Sequence, residues 1–325
     1  MQLAQLKTTQ LGDTGLEITR VGFGAWAIRG GNWEFGWGPQ EDQESIETIH
    51  RALELGVNWI DTAAAYGFGH SEEVVGRALA GLDERPYVFT KASLVPGAGG
   101  RVLHSLRRDS ILREAEASLR RLGVDAIDLY QIHWPVPDED LEEGWSAVAE
   151  LREQGLVRHI GVSNFDVDQL RRIHAIAPVE TLQPQYSLIA REVEAEILPL
   201  ARKAGIGVIV YSPMGSGLLT GAMTRERIAN LSEDDWRKRD PRFREPELTR
   251  HLVLVERLQT VAARHDTTAG AVAAAWTLRH PAVHGAIIGF RRPLQVDVVL
   301  DAGRLELNDA DVAEIEGADR PGHGR

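Results

Sequence analysis

Four ionisable residues, Asp61, Tyr66, Lys91 and His133, have types and spacing that fit one piece of chemistry. Each falls at the end of a short apolar run or in the loop just after one. Asp61 closes Asn58–Asp61, Tyr66 follows in Asp61-Thr62-Ala63-Ala64-Ala65-Tyr66-Gly67, Lys91 follows Tyr87–Thr90, and His133 follows Ala126–Gln131. A tyrosine hydroxyl is a weak acid, with an unperturbed pKa of about 10, and a nearby ammonium favours the phenolate and lowers that value. Lys91 is expected to act on Tyr66 in this way, Asp61 to hold the lysine by a charge-assisted hydrogen bond, and His133 to donate to and orient a substrate oxygen. Such a set delivers a proton to a developing alkoxide. Singly, each residue has a plainer reading: a turn or cap for Asp61, a loop aromatic for Tyr66, a surface cation for Lys91, a satisfied histidine for His133. Their joint placement at the exits of three neighbouring strands favours the chemical reading. Lysine usage supports it: of 36 basic residues only Lys7, Lys91, Lys203 and Lys238 are lysines. A lysine kept in an arginine-rich chain points to a need for a compact ammonium on a flexible stem.

The elements that must position these residues read as an alternating series. Apolar runs at Thr19–Gly24, Asn58–Asp61, Tyr87–Thr90, Ala126–Gln131, His159–Ser163, Thr181–Gln185, Gly207–Tyr211 and Ala286–Ile288 predict eight strands. Between them lie helical patterns, among them Ile46, Ile49, Leu53, then Ile111, Ala115, Leu119, Leu122, and Val193, Ile197, Leu200. An unbroken strand–helix series predicts parallel strands with right-handed crossovers, and eight units predict closure as an α/β, (β/α)8 TIM barrel, one domain over residues 1–325. Gly56, Gly123, Gly155 and Gly205 stand between a helix and the next strand, where a left-handed residue is wanted. Leu6–Ile18, carrying Gly12-Asp13-Thr14-Gly15, reads as an N-terminal β-hairpin closing the bottom of the barrel. Two connections on the opposite face are too long to be turns: Ala25–Asp42, with Trp26, Trp33, Phe35 and Trp37, and Ser212–Glu247. That C-terminal face is where barrel enzymes assemble their sites.

Composition excludes several classes. A net charge of −12 argues against nucleic acid as a partner. With 43% hydrophobic and 26% charged residues the chain is globular. It has no cysteine, hence no disulfide, thiolate zinc site, iron–sulfur cluster or thiol nucleophile, and a reducing, cytoplasmic location is expected. Neither a signal peptide nor a membrane-spanning run is read, so no membrane partner is expected. His280 and His284 are four apart, but Pro281 interrupts them and no carboxylate set accompanies them, so no metal is expected. Gly22-Phe23-Gly24-Ala25-Trp26-Ala27 matches a dinucleotide fingerprint, yet Arg29-Gly30-Gly31 follows where that motif needs a helix; the segment reads as the first barrel strand.

With these residues in view, the sequence resembles the aldo-keto reductase superfamily over essentially its whole length. The resemblance is carried in order by Asn58-Trp59-Ile60-Asp61-Thr62-Ala63-Ala64-Ala65-Tyr66-Gly67, the isolated Lys91, Gln131-Ile132-His133-Trp134-Pro135 and Gly161-Val162-Ser163-Asn164-Phe165. It is similar to the superfamily's bacterial NADPH-dependent oxidoreductases and also to its potassium-channel β-subunits. The resemblance implies a catalytic tetrad of Asp61, Tyr66, Lys91 and His133, and hydride transfer between a nicotinamide and a carbonyl with the tyrosine as general acid. It also implies that Ser163, Asn164 and Gln183 hold the nicotinamide carboxamide and that Tyr211 stacks on the ring; a helix cap and ordinary core are the plainer readings. In Ser212-Pro213-Met214-Gly215-Ser216-Gly217-Leu218 the small residues would let backbone amides approach a pyrophosphate. Gly289, Arg291 and Arg292 lead into a helix beginning near Leu294, a setting that suits a dianionic phosphate and favours NADPH (NADP+) over NADH. Gln295 resembles an adenine-side contact, and Val298-Val299 stand where relatives commonly carry Glu-Asn.

Trp26, Trp33, Trp37 and Trp134, with Phe35, are expected to line a pocket for a small aldehyde, ketone or sugar. The stretch Arg237-Lys238-Arg239-Asp240-Pro241-Arg242-Phe243-Arg244 reads either as a clamp over the cofactor or as a solvated charge run. The expected function is NADPH-dependent reduction of aldehydes and ketones, reversible toward alcohol oxidation. Its rivals are a nicotinamide-binding regulatory subunit with little turnover and a Schiff-base lyase using Lys91.

Overall fold

The computed structural model describes residues 6–28, 40–233 and 235–317. Its centre is a closed barrel of eight parallel strands: β1 (Val21–Gly24), β2 (Trp59–Asp61), β3 (Tyr87–Ala92), β4 (Ile127–Ile132), β5 (Val157–Ser163), β6 (Thr181–Gln183), β7 (Gly207–Val210) and β8 (Gly285–Gly289), with β8 closing onto β1. Four helices pack outside the first half: α1 (Asp42–Glu54), α2 (His70–Leu79), α3 (Arg108–Leu122) and α4 (Leu141–Glu153). The (β/α)8 architecture and all eight expected strands are present, each within a few residues of its predicted bounds. Gly56, Gly123, Gly155 and Gly205 have φ of 94°, 67°, 76° and 68°, the left-handed values a helix-to-strand reversal needs.

Side chains alternate across each strand, so residues two apart share the barrel interior. In the lower layer Trp59, Phe89, Leu129, Ile209 and Ile287 form one buried apolar cluster with Leu11, Leu16 and Ile18. The last three come from the expected N-terminal hairpin, whose strands Thr8–Gln10 and Glu17–Thr19 pair antiparallel. The hairpin plugs the bottom of the barrel. Two residues further along β2, β3 and β4 the same inward face turns polar, with Asp61, Lys91 and Gln131 above Trp59, Phe89 and Leu129. The register places Lys91 opposite Gln131, and Asp61 opposite Phe89, one step diagonal to Lys91. A dry apolar layer thus floors a polar one.

Three connections differ from expectation. After β3 the chain first makes a second hairpin, Leu94–Pro96 with Val102–His104, before α3 begins; the turn residues Gly97, Gly99 and Gly100 were its signal in the sequence. The segment after β7 is not one open loop. It holds a 3₁₀ turn at Leu218–Thr220, a helix at Arg225–Ala229 and 3₁₀ turns at Trp236–Lys238 and Pro241–Phe243, before helices Glu247–Arg264 and Ala269–Leu278. The sixth expected helix begins only at Ile197, Val193 lying on the preceding 3₁₀ turn.

Trp59 is fully buried and its indole N–H donates to the Thr19 carbonyl at 2.8 Å. A Cβ on Gly22 would meet its ring at 2.2 Å, so this glycine is what lets the ring lie flat against β1. Trp59→Ala should cost roughly 3–5 kcal/mol of stability in urea unfolding; a loss below about 1 kcal/mol would mean that the hairpin plug is not held by this ring.

Candidate active site

Asp61, Lys91 and the Tyr66 loop meet at the top of β2 and β3. The Lys91 ammonium donates to Asp61 Oδ1 at 2.6 Å and to the Thr62 carbonyl at 2.9 Å, and both side chains are buried. Asp61 Oδ2 accepts from the Gln183 amide at 2.8 Å, and that amide also reaches Gln131 Oε1 at 3.4 Å. Burial raises the Asp61 carboxyl above its ordinary range and lowers the Lys91 ammonium, and their mutual attraction pulls back against both shifts.

Tyr66 sits above this pair, the Lys91 nitrogen 5.3 Å from its ring centroid. The His133 ring meets Tyr66 edge-on, with centroids 5.7 Å apart. The expectation that Lys91 lowers the pKa of Tyr66 is corrected: burial, followed by the Asp61 charge, pushes that pKa well above the ordinary tyrosine value. The lysine's hydrogen bonds go to Asp61 and Thr62, and desolvation of the phenolate wins. Tyr66 is therefore a protonated hydroxyl throughout the physiological range. Burial and Lys91 push His133 well below its usual value, which leaves a neutral imidazole. Its buried Nδ1 has no hydrogen-bond partner among the described residues.

The residues expected around a nicotinamide lie at neighbouring strand exits and contact one another. Ser163 Oγ donates to the Gln183 carbonyl at 2.8 Å, Asn164 donates to the His133 carbonyl at 3.0 Å, and Tyr211 OH donates to Asn164 Oδ1 at 2.8 Å. Burial raises Tyr211 to about 12, so it too stays protonated. Asn164 and Ser212 hold positive φ values of 64° and 54°, uncommon outside glycine and found at sites the surroundings over-determine. Further along, Gly215, Ser216 and Gly217 have φ of 57°, 57° and 90°. Such left-handed runs turn backbone amides toward one side and make anion nests; Pro213 and Leu218 anchor the loop from the buried side.

Across from this loop Arg237 lies near Gly217, and Arg291 feels the charges of both Arg237 and Arg292. The 237–244 stretch is not a solvated charge run: Arg237 and Phe243 are buried. Arg237 pairs with Asp235 and Arg242 with Asp240, each at 2.6 Å, while Trp236 stacks on Trp26 with ring centroids 5.8 Å apart. The segment after β7 is thereby fastened to the segment after β1. The helix after β8, Pro293–Val299, starts close to its expected position just beyond Gly289. Gln295 Oε1 accepts the amides of Arg291 at 2.6 Å and Arg292 at 3.2 Å, which ties this side chain to its own helix start.

Trp26, Phe68 and Val102 pack around Tyr66 and Ala63, and Trp134 stands on the rim, 39% exposed. The sequence reading missed Phe68 and Val102: Val102 belongs to the unexpected second hairpin, and Phe68 is a single aromatic in the turn before α2. Trp33, Phe35 and Trp37 lie outside the described residues.

Comparison with known proteins adds to this geometry. The model of a family described as "Aldo/keto reductase family" matches residues 20–320. The chain is 39% identical over 313 residues to the aldo-keto reductase YhdN of Bacillus subtilis (strain 168), covering 95% of this chain and 92% of that one. It is 36% identical to an NADH-specific methylglyoxal reductase of Escherichia coli (strain K12), covering 94% and 96%. Among solved structures, a glycerol dehydrogenase, AKR11B4, from Gluconobacter oxydans superimposes with a TM-score of 0.86 at 36% identity, over 98% of this chain and 99% of the other.

The buried pair makes a stability prediction. Asp61→Leu strands the Lys91 ammonium in the barrel and should cost about 3–5 kcal/mol in denaturant unfolding. Asp61→Leu combined with Lys91→Met removes both charges and should recover most of that loss; equal destabilisation of the single and double variants would contradict a paired buried charge.

Proposed function

The chain belongs to the aldo/keto reductase family, and from that premise we propose that it is an oxidoreductase that interconverts a small carbonyl compound and its alcohol with a nicotinamide cofactor. The observation that carries this reading is the buried Lys91–Asp61 pair at 2.6 Å beneath Tyr66, with neutral His133 edge-on to the same ring. A bound nicotinamide supplies or receives the hydride. Tyr66, kept protonated by burial, gives its proton to the carbonyl oxygen as negative charge grows there. Once that charge passes to the phenolate, the Lys91 ammonium, 5.3 Å from the ring centroid, is placed to stabilise it, and Asp61 keeps the ammonium in place. His133 donates one hydrogen bond to the same oxygen without carrying charge, which fixes its approach. In the reverse direction each proton step runs backward.

The donor set fits a nicotinamide cofactor. Ser163, Asn164 and Gln183 present amide and hydroxyl groups beside the tetrad, and Tyr211 offers a flat half-buried ring at the exit of β7. The left-handed Gly215–Gly217 turn would hold the pyrophosphate, and Arg237, Arg291 and Arg292 gather positive charge in an acidic chain. That cluster supports NADPH over NADH, because only NADPH carries the extra phosphate. The aromatic and aliphatic wall of Trp26, Phe68, Val102 and Trp134 suits a small, partly apolar aldehyde, ketone or sugar. The protein acts in the cytoplasm on this reading, without nucleic acid or membrane partners.

Tyr66→Phe should lower kcat by at least about 100-fold on a panel of aldehydes, ketones and sugars while NADPH affinity stays nearly unchanged. Lys91→Arg should be severely impaired although the charge is kept, since a planar fork does not fit the Asp61 and Thr62 acceptors. Full activity in either variant contradicts the assignment, and saturable NADPH binding without turnover of any carbonyl would favour a regulatory subunit. Arg292→Ala should raise the NADPH KM about 10- to 100-fold and leave that for NADH nearly unchanged; equal effects on the two would remove Arg292 from cofactor choice.

A further inference from the structure

Behind the barrel wall, on the side of β3 facing away from Lys91, lies a cluster of buried polar groups that the proposed chemistry does not use. Glu72 of α2 is fully buried and accepts from Thr90 Oγ1 at 2.6 Å and from Arg121 at 2.7 Å. Glu114 of α3 lies close by and accepts at both oxygens, from the Ser93 amide at 3.1 Å and from Ser110 Oγ at 3.1 Å. Thr90 and Ser93 flank Lys91 along the chain, so a carboxylate grips the strand on either side of the lysine.

Ser93 is the unusual member. It is fully buried and holds a φ of +84°, a conformation that needs outside support in a residue with a Cβ. Its hydroxyl brackets Trp134, accepting from that residue's amide and donating to its carbonyl, both at 3.2 Å. The preceding residue is His133, whose amide donates to the Ala92 carbonyl at 3.0 Å. A continuous path therefore runs from Glu114 through Ser93 to the turn that carries His133 and the rim tryptophan.

We propose that Glu114 is a positioning residue whose ionisation couples pH to the placement of His133 and Trp134. This rests on the function proposed above, in which His133 orients the substrate oxygen. As a carboxylate, Glu114 satisfies two donors, one at each oxygen. A proton on Oε2 opposes the Ser93 amide directly, and one on Oε1, which the Ser110 hydroxyl can accept by reversing its bond, removes the negative charge that strengthens the Ser93 bond, so the grip on Ser93 weakens either way. The charges around it explain why this happens in an accessible range. Glu72 and Glu114 share one guanidinium, Arg121, and Arg121 is already taken up by Glu72. Tyr130 of β4 faces both carboxylates with a buried hydroxyl that has no partner among the described residues. On α4, Glu143 and Glu150 are engaged at the surface by Arg107 and Arg108, and His104 of the second hairpin bears on His133 rather than on Glu114. Burial, with the Glu72 charge added, holds Glu114 up at about 7. His133 does not compete in that window, because burial and Lys91 keep it well below.

The test reads Trp134 directly and needs no turnover. Intrinsic fluorescence of the whole protein is titrated from about pH 5 to 9, and the contribution of Trp134 is isolated by difference from Trp134→Phe. The expected result is a Trp134-dependent change with its midpoint around 7, lost in Glu114→Gln, which keeps an acceptor but cannot ionise. Ser93→Gly, which takes positive φ without strain, should lose the fluorescence change while Glu114 still titrates. Unfolding in urea reports that titration. Because the pKa of Glu114 is raised in the fold, its bound proton stabilises the protein at low pH, and that stabilisation is lost as pH rises through about 7. Wild type and Ser93→Gly should show this slope and Glu114→Gln should not. In turnover assays kcat/KM should rise across the same midpoint in wild type and be flat there in Glu114→Gln. An unchanged fluorescence midpoint in Glu114→Gln, or no Trp134-dependent change in wild type, overturns the proposal. A fluorescence change lost in Glu114→Gln without turnover on any carbonyl would leave this coupling in place and count against the enzymatic reading alone.

Discussion

An ammonium and a carboxylate 2.6 Å apart at the centre of a barrel can be tolerated only if the rest of the interior is arranged around them. Each charge alone would be costly to take out of water, and even a pair needs its remaining hydrogen-bonding positions filled. The Thr62 carbonyl fills one on Lys91, and the Gln183 amide fills one on Asp61. The strand register makes this possible by placing Asp61 and Lys91 on one inward layer with Gln131 between β3 and β5. Beneath them Trp59, Phe89 and Leu129 exclude water, and the N-terminal hairpin seals that layer from below.

The same constraint sets the protonation states of the site. Because Tyr66 is buried, with the Asp61 charge facing it, the tyrosine is held as an acid rather than a phenolate. In the proposed reaction the value of Lys91 then lies in what it would do once negative charge arrives, which is the sense in which preorganised charge lowers a barrier. Burial, aided by the fixed cation, likewise keeps His133 neutral, so in the proposed reaction the histidine would steer by a hydrogen bond alone. The burial of each group sets these protonation states, and the charges of the pair reinforce them at Tyr66 and His133.

Much of this was legible in the sequence because period-2 and period-3.6 patterns encode which face of an element is buried, and the barrel follows from their order. Asp61, Lys91 and His133 could be placed on one rim because each sits at a strand end, and strand ends were the best-defined feature. The second hairpin was missed because Leu94–Pro96 and Val102–His104 are three residues each, too short for alternation to register, and with it went Val102 of the pocket wall. The direction of the Tyr66 shift was misjudged because a sequence reports that a lysine is near a tyrosine but not how fully the tyrosine is buried. Nor could it show the Glu114–Ser93–Trp134 path, which joins a helix, a strand exit and a loop through a residue of unexpected positive φ.

If the buried pair acts as one unit on Tyr66, its members cannot contribute independently. The direct measurement is a double-mutant cycle on the single-turnover rate of carbonyl reduction, comparing Asp61→Asn, Lys91→Met and the combined variant with wild type. The account predicts strong non-additivity, the combined variant being about as slow as Lys91→Met alone. Independent, multiplying losses from the two substitutions would contradict it.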